Sequence, residues 1–583
     1  MPARRHVVSS LFLLLVIVSG NLPPQARRPV PARAHPSPRV AQLLRRLTLR
    51  QQIAQLIMPW IAGTYSAFDD RALDKILGWV DTLQVGGIIV SVGSPMDIAA
   101  KLNFLQRRSK LPLLIGSDLE GGTAFRFNPG GTPFPTNMGV GATWSERDAY
   151  LMGKVTALEG RAAGIHMTFS PVADVNNNAA NPIINTRSFG SDAQTVARFV
   201  AAAVRGTQDA GMLATAKHFP GHGDTDTDSH ISLPIIRADW ARLDTLELVP
   251  FRAAIKAGVD VVMSAHIAIP GLENGAMDPA TLSPEILTGL LRDSLHFKGM
   301  VVTDALDMGA LVSTYGPGEA AVKAFLAGSD LLLMPADPYA AVDAMVEAIR
   351  TKRVSRARLT SSVRRMLETK ERLGLFARRT VDLEKLGEVV GRRANRDSAF
   401  SVSTRSLVLV RDSLGLVDSL RAGPRRVAVV SYADGNTPQV VGATLQAELA
   451  KRGYQVNGFR LTTASGPASY DSAAAVLKGT QLALFAASVR FGSGKGAIGM
   501  AESMSRLIKT SADERPTALV SFGTPYLLSQ APNVAAYLLA WTDNPLTEEA
   551  VAAALAGAAI TGRLPIDLPQ GYPLGFAIVK PAK

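Results

Sequence analysis

The densest run of chemically capable side chains is Lys217-His218-Phe219-Pro220-Gly221-His222-Gly223-Asp224-Thr225-Asp226-Thr227-Asp228-Ser229-His230. Three chemistries compete for it. Asp224, Asp226 and Asp228 alternate as in a calcium loop. Ser229, however, stands where that loop needs its turn glycine, and Ile235 where it needs a closing glutamate, so the EF-hand pattern fails. His218, His222, Asp224 and His230 could hold a transition metal, but the glycines make this a loop and no H-E-x-x-H helix is present; no metal is expected. The third chemistry is proton transfer. Asp228 and His230 lie two positions apart, so an extended backbone projects both to one side. A carboxylate bonded to one ring nitrogen fixes the tautomer and supports the imidazolium, leaving the other nitrogen to move a proton.

Something must position this loop. Between Arg39 and Gly374 short apolar runs alternate with amphipathic stretches, and the runs at 56–59, 87–91, 112–116, 165–170, 212–217, 259–264, 299–303 and 329–334 read as eight strands. Continuous apolar strands separated by helices predict a parallel sheet covered on both faces. Eight such units match a (β/α)₈ TIM barrel, in which chemistry sits at the C-terminal ends of the strands. Polar residues fall there: Asp118, Asp174, Lys217, His218, His266 and Asp304. Each also has a plainer reading. Asp304 could cap the following helix, with Asp307 a competing carboxylate. Asp118 could be a turn residue, and of Lys217 and His218 one could face a pocket and the other a supporting carbonyl.

A second, smaller α/β unit begins near Ser401, with strand-like runs at 406–410, 426–431, 482–487, 517–522 and 534–541 and helical stretches at 439–452 and 547–557. The expected organisation is a leader and spacer over 1–34, a catalytic domain over 35–380, a linker over 381–400 and an α/β sandwich over 401–583. Gly492-Ser493-Gly494-Lys495-Gly496 lacks the Walker spacing and reads as a mobile loop.

At 583 residues, 47% apolar and 19% charged, the chain is neither disordered nor a coiled coil. It contains no cysteine, which excludes disulfides, thiolate metal sites, cysteine nucleophiles and lipidated cysteine anchors. The net charge of +13 invites a polyanion partner. Arg4 and Arg5 precede the apolar run Leu11–Val18 and Ser19-Gly20, the order of an export signal, and the run is short for a membrane span. Residues 1–34 carry five arginines and no acid, so removing them leaves 13 − 5 = +8. Many of the remaining charges fall in Arg350–Arg379, with Leu, Val and Met at helical spacing, which predicts a solvated helix face. Nucleic-acid binding is not expected, since neither interleaved aromatics nor a known binding motif is present.

Several motifs in order resemble glycoside hydrolase family 3, in its bacterial β-N-acetylglucosaminidase branch. Lys217–His230 resembles K-H-F-P-G-H-G-x-T-x-x-D-S-H, and Asp118-Leu119-Glu120-Gly121-Gly122 resembles D-x-E-G-G. Phe134-Pro135-Thr136-Asn137-Met138, Arg187-Ser188-Phe189-Gly190, Met263-Ser264-Ala265-His266 and Val301–Met308 resemble further segments, the last that of the nucleophile. Ser521–Tyr526 and Gly562–Pro565 resemble the family's C-terminal sandwich. The resemblance implies that Asp304 is the nucleophile of a retaining double displacement. It also implies that His230, paired with Asp228, is the acid/base, and that Asp118, Arg187, Lys217, His218 and Arg126 hold the sugar. One departure stands out: Thr123 occupies a position where the family has arginine, which puts the pocket rim in doubt.

The expected activity is an exported exo-β-N-acetylhexosaminidase acting on β-GlcNAc glycosides from peptidoglycan fragments or chito-oligosaccharides. It would have no cofactor and no integral membrane association after leader removal, and could contact the cell wall. A β-glucosidase or a β-GlcNAc phosphorylase is the enzymatic alternative, and an inactive cell-wall-binding protein the non-enzymatic one. Nothing in the sequence sets an oligomeric state.

Overall fold

Short apolar strands with helices between them build the N-terminal part of the chain. The computed structural model describes residues 36–583, apart from 274, 424, 436–440 and 493–497. The expected export signal and most of the Gly492–Gly496 loop therefore lie outside the described residues. The strands are β1 (Ile57–Met58), β2 (Trp60–Ala62), β3 (Gly87–Ser91), β4 (Leu114–Ser117), β5 (Met167–Thr168), β6 (Thr215–Phe219), β7 (Val261–Ser264), β8 (Met300–Val302) and β9 (Leu332–Leu333). β1 and β3 to β9 each overlap an expected run, whereas β2 lies just beyond the expected run 56–59, after Pro59. All their ladders are parallel: β2-β3-β4-β5, β6-β7-β8 and β1-β9. Parallel bridges from Met167 to Leu213 and from Val302 to Leu331 join these pieces. The series from β2 to β9 thus returns to β1. Nearly every strand residue is buried, as strands covered on both faces require.

The connecting helices carry their own start signals. Pro95–Arg108 begins with Ser94 accepting from the Asp97 N–H and proline at the first turn, and Ala193–Asp209 begins with Asp192 accepting from Thr195. Helix Arg356–Arg372 buries Leu359, Val363, Met366 and Leu367, an i, i+4, i+7, i+8 stripe. The expectation that its basic residues form a solvated face holds only in part. Arg358 and Arg365 turn inward to the buried carboxylate of Asp330, and Lys370 is fully buried with its Nζ 2.7 Å from Gln55 Oε1. Composition counts charges but does not say which of them meet a carboxylate from another turn of the fold.

The C-terminal part is one six-stranded sheet of β10 (Val408–Asp412), β11 (Arg426–Ala433), β12 (Gln455–Thr462), β13 (Ala483–Ser488), β14 (Thr517–Ser521) and β15 (Ala536–Leu539), in the order β10-β15-β14-β13-β11-β12. Only β10 runs antiparallel. Alternate residues of β11 enter separate apolar clusters, Val427 and Val429 one and Ala428, Val430 and Tyr432 the other, so both faces of the sheet are covered. The edge strand β12 was not among the expected strands. Most of its side chains are exposed or half-buried, so it shows no continuous apolar run.

Helix Arg393–Ser406 begins inside the stretch expected as a linker and connects the two sheets. At its N-terminal end Asn395 Nδ2 donates to the fully buried carboxylate of Glu159 (2.7 Å), which also takes the Gly391 N–H. At its C-terminal end the Ser406 carbonyl accepts from Trp541 Nε1 (2.7 Å). Among the described residues no helix is long and apolar enough to cross a membrane.

Candidate active site

The loops leaving β4, β5, β6 and β8 bring the expected residues together. Asp118 and Glu120 follow β4 two residues apart and both reach Lys217, whose Nζ lies 2.8 Å from Asp118 Oδ1 and 2.7 Å from Glu120 Oε1. Arg187 grips Glu120 with two parallel bonds of 2.9 Å. Such a fork fixes the guanidinium plane as well as its position. Arg126 reaches the other oxygen of Asp118 at 3.5 Å and lies over the Phe125 ring. Asp118 is therefore no mere turn residue. Its carboxylate is the half-exposed end of a charge network whose other members, Lys217 and Glu120, are buried.

Charge within this network is held in place electrostatically. Burial alone would raise the Glu120 carboxyl, but Arg187 and Lys217 outweigh it and hold it well below the ordinary carboxylate range. Asp118 is lowered on the same balance, burial against Lys217 and Arg126. Burial works against the charge of Lys217, and the facing Asp118 and Glu120 raise its pKa in spite of it.

His218 donates from a different direction. Its Nδ1 lies 2.7 Å from Asp174 Oδ2, and its Nε2 comes within 3.5 Å of Arg187 Nη2. Lys217 and His218 thus both join the cluster, against the expectation that one of them would turn to a carbonyl. The β6–β7 ladder shifts register between Ala216 and Phe219, so the strict alternation behind that expectation fails here. Fully buried Asp174 also accepts the backbone N–H groups of His218 and His222. The buried Asp174 thereby fixes the start of the glycine-rich loop.

That loop is braced along its length. Asn181 Nδ2 donates to the carbonyls of His222 and Gly223, both at 2.9 Å. Gly223 has no room for a side chain, since a Cβ would sit 1.7 Å from the Val175 carbonyl oxygen. His222 lies between Thr225 Oγ1 and Ser229 Oγ, and burial pushes its pKa down to about 4, so it braces the loop as a neutral ring. At the end of the loop His230 places both its Nδ1 and its backbone N–H 2.8 Å from Asp228 Oδ1. The exposures differ sharply: the Asp228 side chain is 1% exposed and the His230 side chain 35%. With Nδ1 held by a buried carboxylate, Nε2 is the nitrogen free to exchange a proton. The three histidines of this segment thus separate, His218 engaging Asp174, His222 engaging Thr225 and Ser229, and His230 engaging Asp228.

Asp304 follows β8. Its Oδ1 accepts the Ala305 N–H at 2.8 Å, and helix Gly309–Val312 starts at Met308 without a side-chain cap, so Asp304 does not cap it. Burial would raise its carboxyl, but His218, His266, the Ala305 N–H and Lys217 bring it below the ordinary range. An ionised carboxylate on a strand end is the state a nucleophile needs. His266 supports this turn, with Nε2 2.9 Å from the Ala305 carbonyl and Nδ1 2.8 Å from Thr281 Oγ1. The turn also carries the histidine loop: the Ala310 N–H donates to the Ser229 carbonyl, and a Cβ on Gly309 would lie 2.5 Å from the His230 oxygen.

Thr123, expected to alter the pocket rim, points elsewhere. It is fully buried and donates its hydroxyl to Glu159 rather than facing the charges described above. Sequence reasoning placed Asp174 at a strand end and Glu120 in a motif but gave neither a role, and these two buried carboxylates orient Arg187, Lys217 and His218. The two-residue spacing of Asp118 and Glu120 after a strand was the available signal. Phe491 had none. It follows β13 and lies over the Arg187 guanidinium at 5.2 Å, while Tyr526 OH accepts from Asn176 Nδ2 at 2.9 Å. The C-terminal sheet therefore borders the cluster.

Known proteins share this framework. Residues 48–369 match the model of the glycosyl hydrolase family 3 N terminal domain. A β-N-acetylglucosaminidase/β-glucosidase of Cellulomonas fimi is 32% identical over 505 residues, 83% of this chain and 89% of that protein. Among solved structures, a family 3 β-N-acetylglucosaminidase from Paenibacillus sp. is 34% identical with a TM-score of 0.80, over 90% of this chain and 99% of that one. A β-glucoside phosphorylase is 27% identical with a TM-score of 0.81, over 91% and 96%. With a family match over more than half its length and relatives alike across both sheets, the chain belongs to glycosyl hydrolase family 3 and is a glycoside hydrolase.

Proposed function

We propose that this glycoside hydrolase is an exported, retaining exo-β-N-acetylhexosaminidase that releases terminal β-linked N-acetylglucosamine from peptidoglycan fragments or chito-oligosaccharides. In this reading the parallel ring is a (β/α)₈ barrel and the six-stranded sheet belongs to a second, sandwich domain. The observation that carries the proposal is the Asp228–His230 pair on the loop that rests against the turn after Asp304. The relatives named for hexosaminidase and β-N-acetylglucosaminidase activity support the sugar class.

The mechanism follows from the charges. Asp118, Lys217, Arg187 and His218 bind the hydroxyls of the terminal sugar, and Arg126 closes one side. Asp304 attacks the anomeric carbon while His230 Nε2 gives its proton to the departing oxygen, which forms a glycosyl ester on Asp304. His230 then takes a proton from water, whose oxygen attacks the same carbon and releases Asp304. Two inversions give net retention. Asp228 supports the imidazolium in the first step and the neutral tautomer in the second.

A histidine in place of a second carboxylate does not repel an anionic acceptor, and a β-glucoside phosphorylase is among the similar structures, so phosphate is a second acceptor to test. Hydrolysis of a chromogenic β-GlcNAc glycoside, set against the matching β-glucoside, with and without inorganic phosphate, separates the readings. The proposal expects faster β-GlcNAc cleavage and free sugar as product. Preference for the glucoside, or a glycosyl phosphate product, overturns it in favour of the corresponding alternative. Inertness toward both substrates favours a wall-binding protein.

A further inference from the structure

A second cationic site lies at the other end of the parallel ring. The residues of the proposed mechanism leave the C-terminal ends of β4, β6 and β8, whereas His166 immediately precedes β5. There a cavity of about 340 Å³ opens between the end of helix Glu146–Ala162 and the segment Leu375–Val389. Its charged lining is Arg161, Arg378, Arg379 and Lys385 against Asp382 alone, a balance of 4 − 1 = +3. The remaining walls are apolar, among them Leu375, Val381 and Leu386.

We infer that this cavity is a binding site for a small anion, held through a phosphate or carboxylate group by Arg161 with help from His166 and Lys385. Arg161 carries the inference. Its Nη1 is buried and, among the described residues, has no hydrogen-bond partner, and no carboxylate pairs with its guanidinium. Buried donors left unpaired are rare, and a guanidinium fork matches the two oxygens of a carboxylate or phosphate. Burial also lowers the Arg161 pKa, which an anion beside it would offset.

His166 adds a directed donor. Its Nδ1 accepts the Ile115 N–H at 3.0 Å, which puts the ring proton on Nε2. Burial and the nearby charges of Arg161 and Lys370 hold its pKa well below the usual value, so the ring stays neutral and offers one N–H. Lys385 is exposed at the cavity mouth, and Arg379 is already used, donating to the Ser109 carbonyl at 2.8 Å. The apolar walls suit a ligand with a short carbon body, and the volume suits a small molecule rather than a polymer.

Calorimetric titration of the full chain with inorganic phosphate and with succinate, at constant ionic strength and with chloride as reference, tests the site and separates the two headgroups. The expected result is saturable binding of one anion per chain, by phosphate or succinate and not by chloride. Arg161→Gln should weaken it by about tenfold or more, the loss expected for hydrogen bonds to a charged group. Lys385→Ala, at an exposed position that will not disturb folding, should weaken it by about threefold, as a mouth charge does in high dielectric. If Arg161→Gln does not fold, the double variant Arg378→Ala/Lys385→Ala replaces it, with the same direction expected. Failure of both anions to bind overturns the inference. So does binding of unchanged affinity in the folded variants, which would place the anion on Arg187, Lys217 and His218 instead.

Discussion

Two buried clusters in this chain are made of the same groups and do opposite things. At Asp330, one carboxylate that is 1% exposed takes Arg292 at 2.7 Å, Arg365 at 2.6 Å, Arg358 at 3.3 Å, the Ser362 hydroxyl and the Val301 N–H. At Glu120 and Asp118, two carboxylates share Lys217, Arg187 pairs with Glu120, and Asp118 keeps 28% of its side chain exposed. The first cluster precedes β9 and is closed, every acceptor used. The second follows β4 and β6 and is open on one side, so its oxygens and its guanidinium still have bonds to offer. A buried ion pair is thus no sign of a site by itself. What distinguishes the two is the end of the parallel strands on which each lies and whether any lone pair or N–H is left for a substrate.

That contrast can be broken by substitution. Asp304→Ala, at the open end, should lower turnover by at least about 10⁴-fold, the scale of losing a nucleophile, and leave the unfolding midpoint nearly unchanged. Labelling by a fluorinated sugar that traps glycosyl-enzymes should vanish with it; survival of the label would move the nucleophile elsewhere. Asp330→Ala should do the reverse. It strands three inward-facing arginines, a loss of about 3–5 kcal/mol by denaturant titration, with activity per folded molecule retained. Glu120→Gln belongs between them. It keeps the shape but halves the charge facing Arg187 and Lys217, so kcat/KM should fall by about ten- to a hundredfold alongside a modest loss of stability. If Asp330→Ala and Glu120→Gln gave the same ratio of lost activity to lost stability, the distinction between closed and open clusters would not hold.

The legible part of this molecule is the part whose physics is local. The eight strands show in the sequence because strands covered on both faces must be continuously apolar. Edge strand β12 hid because an edge is half-wet, and Arg393–Ser406 hid because it is largely polar and packs through small residues such as Ala399 and Ser403. The site divides the same way. Asp304, His230, Asp228, Asp118, Lys217 and His218 could be read from strand ends and a glycine-rich loop. Glu120 bonding Arg187 across 67 residues, and Phe491 covering that arginine from another sheet, are products of the fold. The basic helix misled for this reason too: charge number is a property of sequence, but charge direction is not.

Acidification sharpens the comparison on a smaller scale. Asp118, Glu120 and Asp330 all have carboxyls lowered by facing cations against the opposing pull of burial. A folded pKa below the unfolded one contributes stability that is present above the unfolded value, about 4, and is lost as pH falls through the folded value. Wild-type stability should therefore drop steeply below about pH 4. Glu120→Gln and Asp330→Ala should each flatten that drop. An identical acid limb in wild type and Asp330→Ala would mean that the closed cluster is not held by charge.

Lys370 supplies the third case, a buried cation that pairs with no carboxylate among the described residues. Burial alone pushes its pKa down to about 7, and Gln55 Oε1 is its hydrogen-bond partner. For a lysine lowered from about 10.4 the sign reverses. Between the two values the unfolded chain binds the extra proton, so the stability contributed by this position rises with pH across that window and is lowest below it. Lys370→Met, which keeps the length and removes the charge, should therefore stabilise the protein most at pH 6 and progressively less toward pH 10, by thermal unfolding against wild type. The effect is expected to be the smallest of the set, because one buried amine neutralises itself where Asp330 cannot shed its arginines. A wild-type-to-variant difference that does not change with pH would show that Lys370 stays charged in the fold and that the Gln55 contact alone suffices to hold it.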